Sequence, residues 1–101
     1  MFYFIEALIA AGVEEGLSME AAREFAVRNM TGAAYMLMET DESPGALRKK
    51  VTSPGGTTEA AIKVFDEMNL KDIVAKAVRN ARKKSIELSK GPGDPAKKDR
   101  E

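Results

Sequence analysis

The chain has 101 residues, the size of one domain with a single core. Its 16 basic and 16 acidic side chains give a net charge of zero, so no overall field attracts nucleic acid or a membrane surface. It contains no histidine and no cysteine. Disulfide and thiolate chemistry are therefore excluded, and the commonest general base and zinc ligand is missing. Any chemistry would depend on hydroxyls, carboxylates, lysines, backbone amides or a cofactor.

The N-terminal run MFYFIEALIAAGV is mostly apolar but is interrupted by Glu6. It is shorter than the ~20 residues that a membrane-spanning helix needs. It also lacks the basic leader and the small-residue cleavage site of a signal peptide. We therefore expect a protein without a membrane-spanning segment, located in the cytoplasm.

Two helices are predicted in the first part of the chain. The first covers about 2–15, ends at Gly16, and has apolar side chains nearly all the way round. Such a helix is normally buried on all sides, which is difficult in a small monomer. Ser18 is the predicted N-cap of a second helix that runs to about Glu39. Its small-residue patch, residues 31–34, favours the close approach of another helix over a ligand site.

A short third helix is predicted over about 44–51, with Ser43 as its N-cap and Pro44 at its first position. A fourth helix is predicted from Thr57 to about Asn69.

The fifth helix has apolar residues from Ile73 to Leu88 on one face and basic residues on the other. No stretch alternates between apolar and polar residues as a strand would. The predicted fold class is therefore all-α, with five helices in a domain of residues 1–90. Residues 91–101 contain Gly, Pro and charges without an apolar anchor, which predicts a disordered tail.

The loop SPGGTT, residues 53–58, is richer in glycine and hydroxyl residues than a simple helix connection requires. One interpretation is a sharp turn, with Thr57 or Thr58 as the N-cap of the fourth helix. The other is a small-anion site, because glycines allow close approach and a helix N-terminus offers unpaired amides. The loop is neither a P-loop nor a dinucleotide fingerprint, since the required Lys and the GxGxxG pattern are absent. Both interpretations remain open on these residues alone.

The segment VTSPGGTTEAAIKVFDE closely resembles the signature of pyrroline-5-carboxylate reductase, the last enzyme of proline biosynthesis. FIEALIAAGVEEGLS, GAAYMLMETDESPGALRKKVTSPGGTT and AVRNARKKSIELSK also resemble that family's C-terminal domain, in order and spacing. The resemblance implies an interlocked homodimer with the helical fold of the 6-phosphogluconate dehydrogenase C-terminal domain. In the family, such dimers often assemble further into rings. The resemblance further implies a reaction in which 1-pyrroline-5-carboxylate, a cyclic imine with a carboxylate, is reduced to L-proline with NADPH or NADH.

The same resemblance assigns substrate binding to a set of loop and neighbouring residues: Asp41, Val51, Ser53, Gly55, Gly56, Thr57 and Thr58. The amides around Gly56, Thr57 and Thr58, with Ser53, are expected to hold the substrate carboxylate. The Thr58 hydroxyl is the expected catalytic group, which bonds the ring nitrogen and helps to deliver a proton.

The family's NADPH-binding Rossmann domain should precede this region and is not present in the 101 residues. The resemblance therefore predicts a fragment, an isolated domain, a short gene product or one part of a split protein. No cofactor is expected to bind this chain, and no hydride transfer is expected from it alone.

Other function classes have weaker support. One is a purely structural homodimerisation module whose loop is a relic of a substrate site. Another is a nucleic-acid binder that uses the basic face of residues 76–90, but this face has no interleaved aromatic residues for base stacking. Metal catalysis is not supported either, because adjacent carboxylates such as Asp66 and Glu67 point about 100° apart on a helix.

Overall fold

A computed structural model describes residues 1–90. These residues form five α-helices and no strand, which confirms the all-α prediction. The predicted disordered tail, 91–101, lies outside the described residues. The helices are α1 (Phe2–Glu14), α2 (Met19–Glu39), α3 (Pro44–Lys50), α4 (Thr57–Glu67) and α5 (Leu70–Ser89). They fall into two compact units, one of residues Met1–Lys50 and one that starts at Val51.

The first unit is built on a hairpin of α1 and α2. Gly16, with φ +105°, ends α1 in the left-handed region that favours glycine. Its amide donates to the Val13 carbonyl, and the Leu17 amide donates to the Gly12 carbonyl, both at 3.0 Å. This pair of bonds is a Schellman motif, which satisfies carbonyls that the helix end would leave unpaired. Ser18 then caps α2, as predicted, by accepting the Ala21 amide at 3.1 Å.

The contact between α1 and α2 depends on small residues. Ala22 and Ala26 on α2 are the only buried residues in the described part of the chain, at 3% and 6% exposure. A Cβ placed on Gly12 would lie 3.1 Å from the Ala22 Cβ. The two helices thus approach closely, and glycine at position 12 avoids a tight contact there.

Most of the large apolar side chains are not covered within one chain. Phe2 and Tyr3 on α1 are each 86% exposed. On α2, Tyr35, Met36, Leu37 and Met38 are also exposed. Outside its contact with α2, much of the apolar surface of α1 is therefore uncovered among residues 1–90, which leaves the surface that the dimer prediction requires.

The connection from α2 leads into the short helix α3. Ser43 caps it as predicted, since its Oγ accepts the Ala46 amide at 3.1 Å. The Lys50 ammonium at the end of α3 pairs with the Glu42 carboxylate just before it. Asp41 lies in this connection and is exposed.

The second unit contains α4 and α5, which pack against each other. Asn69 joins them in the left-handed conformation, with φ 58° and ψ 49°. Asparagine tolerates this conformation better than most residues with a side chain. The Asn69 amide donates to the Asp66 carbonyl at 3.2 Å, and the Asn69 carbonyl accepts the Ile73 amide at 3.0 Å. This one residue therefore ends one helix and begins the next.

Among residues 1–90, no helix is both long and apolar enough to cross a membrane.

Candidate functional site

The loop before α4 is a tight turn built by Pro54 and Gly55. The Gly56 amide donates to the Ser53 carbonyl at 2.9 Å, which closes a four-residue turn. Gly55 has φ +72°. Proline at the second position and a positive φ at the third define a type II turn, which favours glycine at the third position. This conformation explains why Pro and Gly follow one another here.

Gly56 is the N-cap of α4, with φ −87° and ψ −179°, and no side chain caps the helix. The prediction of Thr57 or Thr58 as the N-cap is therefore wrong. The type II turn places Gly56 in the cap position, one residue before Thr57, and Thr57 is the first helical residue. A Cβ on Gly56 would lie 3.1 Å from the Ser53 carbonyl oxygen, so glycine allows the chain to double back at this point.

Glu59 bonds back to the turn from the third position of α4. Its Oε1 accepts the Gly55 amide at 3.1 Å. This contact was not predicted from the sequence, because the predicted N-cap, Thr57 or Thr58, lies one or two residues after Gly56. With Gly56 as N-cap, Glu59 occupies the position from which a capping-box carboxylate reaches back to the preceding backbone. That spacing is the signal that could have identified it.

The first turn of α4 leaves several hydrogen-bonding groups open. The amides of Thr57 and Thr58 belong to the group at a helix start that has no intrahelical partner, and no side chain caps them. Thr58 is half-buried, whereas Ser53 and Thr57 are exposed. Unpaired amides, hydroxyl donors and the positive end of the helix dipole suit a small carboxylate or phosphate.

The predicted site residues are divided between the two units. Ser53, Gly55, Gly56, Thr57 and Thr58 lie together in the turn and the first turn of α4. Val51, 63% exposed, follows α3 directly. Asp41 belongs to the first unit, and its part in a substrate pocket stays a prediction.

Away from this loop, the described residues form a surface pocket but no cluster that could hold a metal ion. A surface pocket is lined by Ala21, Glu24, Phe25 and Arg28, all on α2. Within residues 1–90, no three carboxylate, histidine or cysteine side chains are placed to hold a metal ion together.

The sequence matches one family model, described as pyrroline-5-carboxylate reductase dimerisation, over residues 1–88. Among curated proteins, it is 42% identical over 86 residues to the pyrroline-5-carboxylate reductase of Synechocystis. It is also 42% identical over 90 residues to the enzyme of the same name from Escherichia coli. These matches cover 85% and 89% of this chain but 32% and 34% of the relatives.

The fold is similar to that of solved structures with the same name. A pyrroline-5-carboxylate reductase from Coxiella burnetii is 44% identical with a TM-score of 0.83, over 86% of this chain and 32% of that one. A pyrroline carboxylate reductase from Plasmodium falciparum, solved with NADP bound, is 32% identical with a TM-score of 0.80. That match covers 82% of this chain and 34% of the other.

The chain thus spans about a third of the length of the relatives that it matches. The family model covers nearly all of the described residues, and its span includes both the helical hairpin and the glycine loop. The chain belongs to the pyrroline-5-carboxylate reductase dimerisation family.

Proposed function

We propose that this chain is the dimerisation and substrate-binding domain of a pyrroline-5-carboxylate reductase. The observation that carries the proposal is the uncapped N-terminus of α4 behind the Pro54–Gly55 turn. Family membership supports the identity of the ligand, and the loop geometry supports its location. The reaction reduces the cyclic imine 1-pyrroline-5-carboxylate to L-proline.

The substrate carboxylate is assigned to the amides of Thr57 and Thr58 and to the Ser53 hydroxyl. The Gly55 and Gly56 amides already donate to Glu59 and Ser53, respectively. The two glycines therefore contribute by their conformation and their lack of a side chain. A carboxylate at this end of α4 also interacts favourably with the helix dipole, worth about 0.3–1 kcal/mol at an exposed site.

The Thr58 hydroxyl is assigned to the ring nitrogen of the substrate. It stands at the second helical position, beside the amides assigned to the carboxylate, so one ligand can reach both. There it orients the imine and helps a proton to reach the nitrogen. Val51 is proposed to line the same pocket.

A bound nicotinamide cofactor would supply the hydride for the imine carbon. The described residues form five helices and no strand, and so offer no strand–turn–helix unit of the kind that binds a dinucleotide. NADPH or NADH is therefore assigned to a separate Rossmann domain, and this chain alone is expected to transfer no hydride. The chain's own contribution is to bind and orient the imine.

The proposed partner is a second copy of the chain, interlocked through the apolar helices, with further assembly into a ring. The uncovered side chains of α1, such as Phe2 and Tyr3, are the surface that a second copy would bury. Burying one large apolar side chain stabilises a contact by about 1.5–3 kcal/mol.

The experiment is an NMR titration of the chain with L-proline, the product of the proposed reaction. We expect amide shifts confined to residues 53–59 of the described chain and a weaker affinity for Thr58→Val, which keeps the side-chain shape but removes the hydroxyl. Thr31→Val is the matched control, because the Thr31 hydroxyl bonds only the Val27 carbonyl of its own helix. If Thr58→Val changes stability alone, or L-proline shifts no loop amide, the relic-loop alternative is correct.

A further inference from the structure

The peptide at the centre of the turn donates a hydrogen bond to a side chain. The amide of Gly55 belongs to the Pro54–Gly55 peptide, and it donates to Glu59 Oε1 at 3.1 Å. Type I and type II turns differ chiefly by a flip of this central peptide, which reverses the sign of φ at the third residue. With φ +72° at Gly55, the turn is in the type II state.

The orientation of this peptide matters for the open amides of α4. Because the peptide is trans, its N–H and C=O point in opposite directions. The N–H points to Glu59, which lies in the first turn of α4. The Pro54 carbonyl therefore points away from the Glu59 carboxylate. After a flip, the carbonyl oxygen would face the helix start, where it would compete for its amides and repel a carboxylate.

Glycine does not by itself choose between the two turn types. It adopts negative φ about as readily as positive φ, so Gly55 allows both states at similar free energy. A carboxylate that accepts the Gly55 amide stabilises the type II state, and it would repel the carbonyl oxygen of the flipped peptide. Glu59 is the residue of the described chain that makes this contact.

We propose that Glu59 is a positioning residue for substrate binding, which holds the Pro54–Gly55 peptide in the type II orientation and thereby keeps the Thr57 and Thr58 amides open. This inference rests on the proposed function, since it concerns the same substrate carboxylate. Glu59 does not touch the substrate, and its effect passes through the loop backbone.

The test compares Glu59→Ala and Glu59→Gln in the full chain. Glutamine keeps an acceptor oxygen at the same position, whereas alanine removes it. The matched control is Glu20→Ala, because Glu20 is also an acid in the first turn of a helix, but the Ser18 side chain caps that helix instead. Three quantities are measured: the NOE between the Pro54 Hα and the Gly55 amide proton, the exchange rate of that amide, and the Kd for L-proline.

In Glu59→Ala, the NOE, which is strong only in a type II turn, should weaken, and the Gly55 amide should exchange about tenfold faster. The Kd for L-proline should rise by about tenfold, while Glu59→Gln stays within about threefold of the wild type and Glu20→Ala is unchanged. An unchanged NOE and exchange rate in Glu59→Ala would overturn the proposal. A lost NOE with an unchanged Kd would also overturn it, because the contact would then be structural only.

The two proposals fail separately in this experiment. If the wild-type chain shows no response to L-proline, the proposed substrate site fails for this chain. The NOE and the exchange rate then decide the role of Glu59: their loss in Glu59→Ala supports control of the turn, and their persistence refutes it.

Discussion

Gly55→Ala tests the conformation of the loop directly. Alanine at φ +72° costs about 1–2 kcal/mol, because its Cβ crowds its own backbone in the left-handed region. No neighbouring atom lies within 4 Å of the added Cβ, so no packing term adds to this cost. The alternative is a flip to the type I turn, which removes the bond to Glu59 and costs about 0.5–1.5 kcal/mol. Both routes predict a loss of stability of about 1 kcal/mol.

The assay is urea unfolding at a fixed subunit concentration, together with the Kd for L-proline. If the flip is the cheaper route, the affinity should fall with the stability, because the Pro54 carbonyl then faces the start of α4. Gly55→Asn is the matched control, since asparagine tolerates the left-handed region better than alanine. It should lose less stability and keep more of the affinity.

A double substitution separates these routes further. If Gly55→Ala flips the peptide, the bond to Glu59 is already lost, so adding Glu59→Ala should cost less than it does in the wild type. The reasoning is refuted if alanine and asparagine at position 55 both leave stability unchanged. That result would mean that the positive φ of Gly55 is not needed in solution.

Three further substitutions test the first unit and its association. Gly12→Ala should destabilise the chain by about 1 kcal/mol in urea unfolding, since overpacking against Ala22 outweighs the helix propensity of alanine; a gain in stability would show that the helices are further apart. Ser18→Ala should lose about 1 kcal/mol in the same assay, because the Ala21 amide loses its acceptor; an unchanged midpoint would contradict the cap. Phe2→Ser should weaken self-association by about tenfold to a hundredfold in sedimentation velocity, since this side chain is 86% exposed in one chain; an unchanged association constant would place the interface elsewhere.

The sequence predicted those helix starts at which a side chain does the capping. Ser18 and Ser43 were recognisable because a serine stands directly before a run of apolar periodicity, and both accept the expected amide. The start of α4 at Thr57 was predicted, but its N-cap was assigned to a threonine because the same rule favours threonine over glycine. In the structure, the preceding type II turn determines the entry of the chain, and Gly56 takes the cap position without a side chain.

Two features, one local contact and one uncovered surface, were less accessible to sequence reasoning. The glycines of the loop indicated a tight approach, but periodicity and propensity do not show that Glu59 bonds the Gly55 amide. The apolar side chains all round α1 did predict a helix that packs against other helices on every side. Phe2 and Tyr3 are exposed among residues 1–90. The proposed second copy would cover them, and the sequence of one chain cannot show such a contact.

The most direct test of the account is the molar mass of the chain in solution, measured by light scattering with and without its first nine residues. The account predicts that the intact chain has twice its 11.0 kDa mass, or a multiple of that. The shortened chain, which lacks most of the apolar face of α1, should dissociate or aggregate. A monomeric mass for both forms across the micromolar range, 11.0 kDa for the intact chain, would contradict it. The glycine loop would then have to be interpreted as a turn until a ligand is shown to bind there.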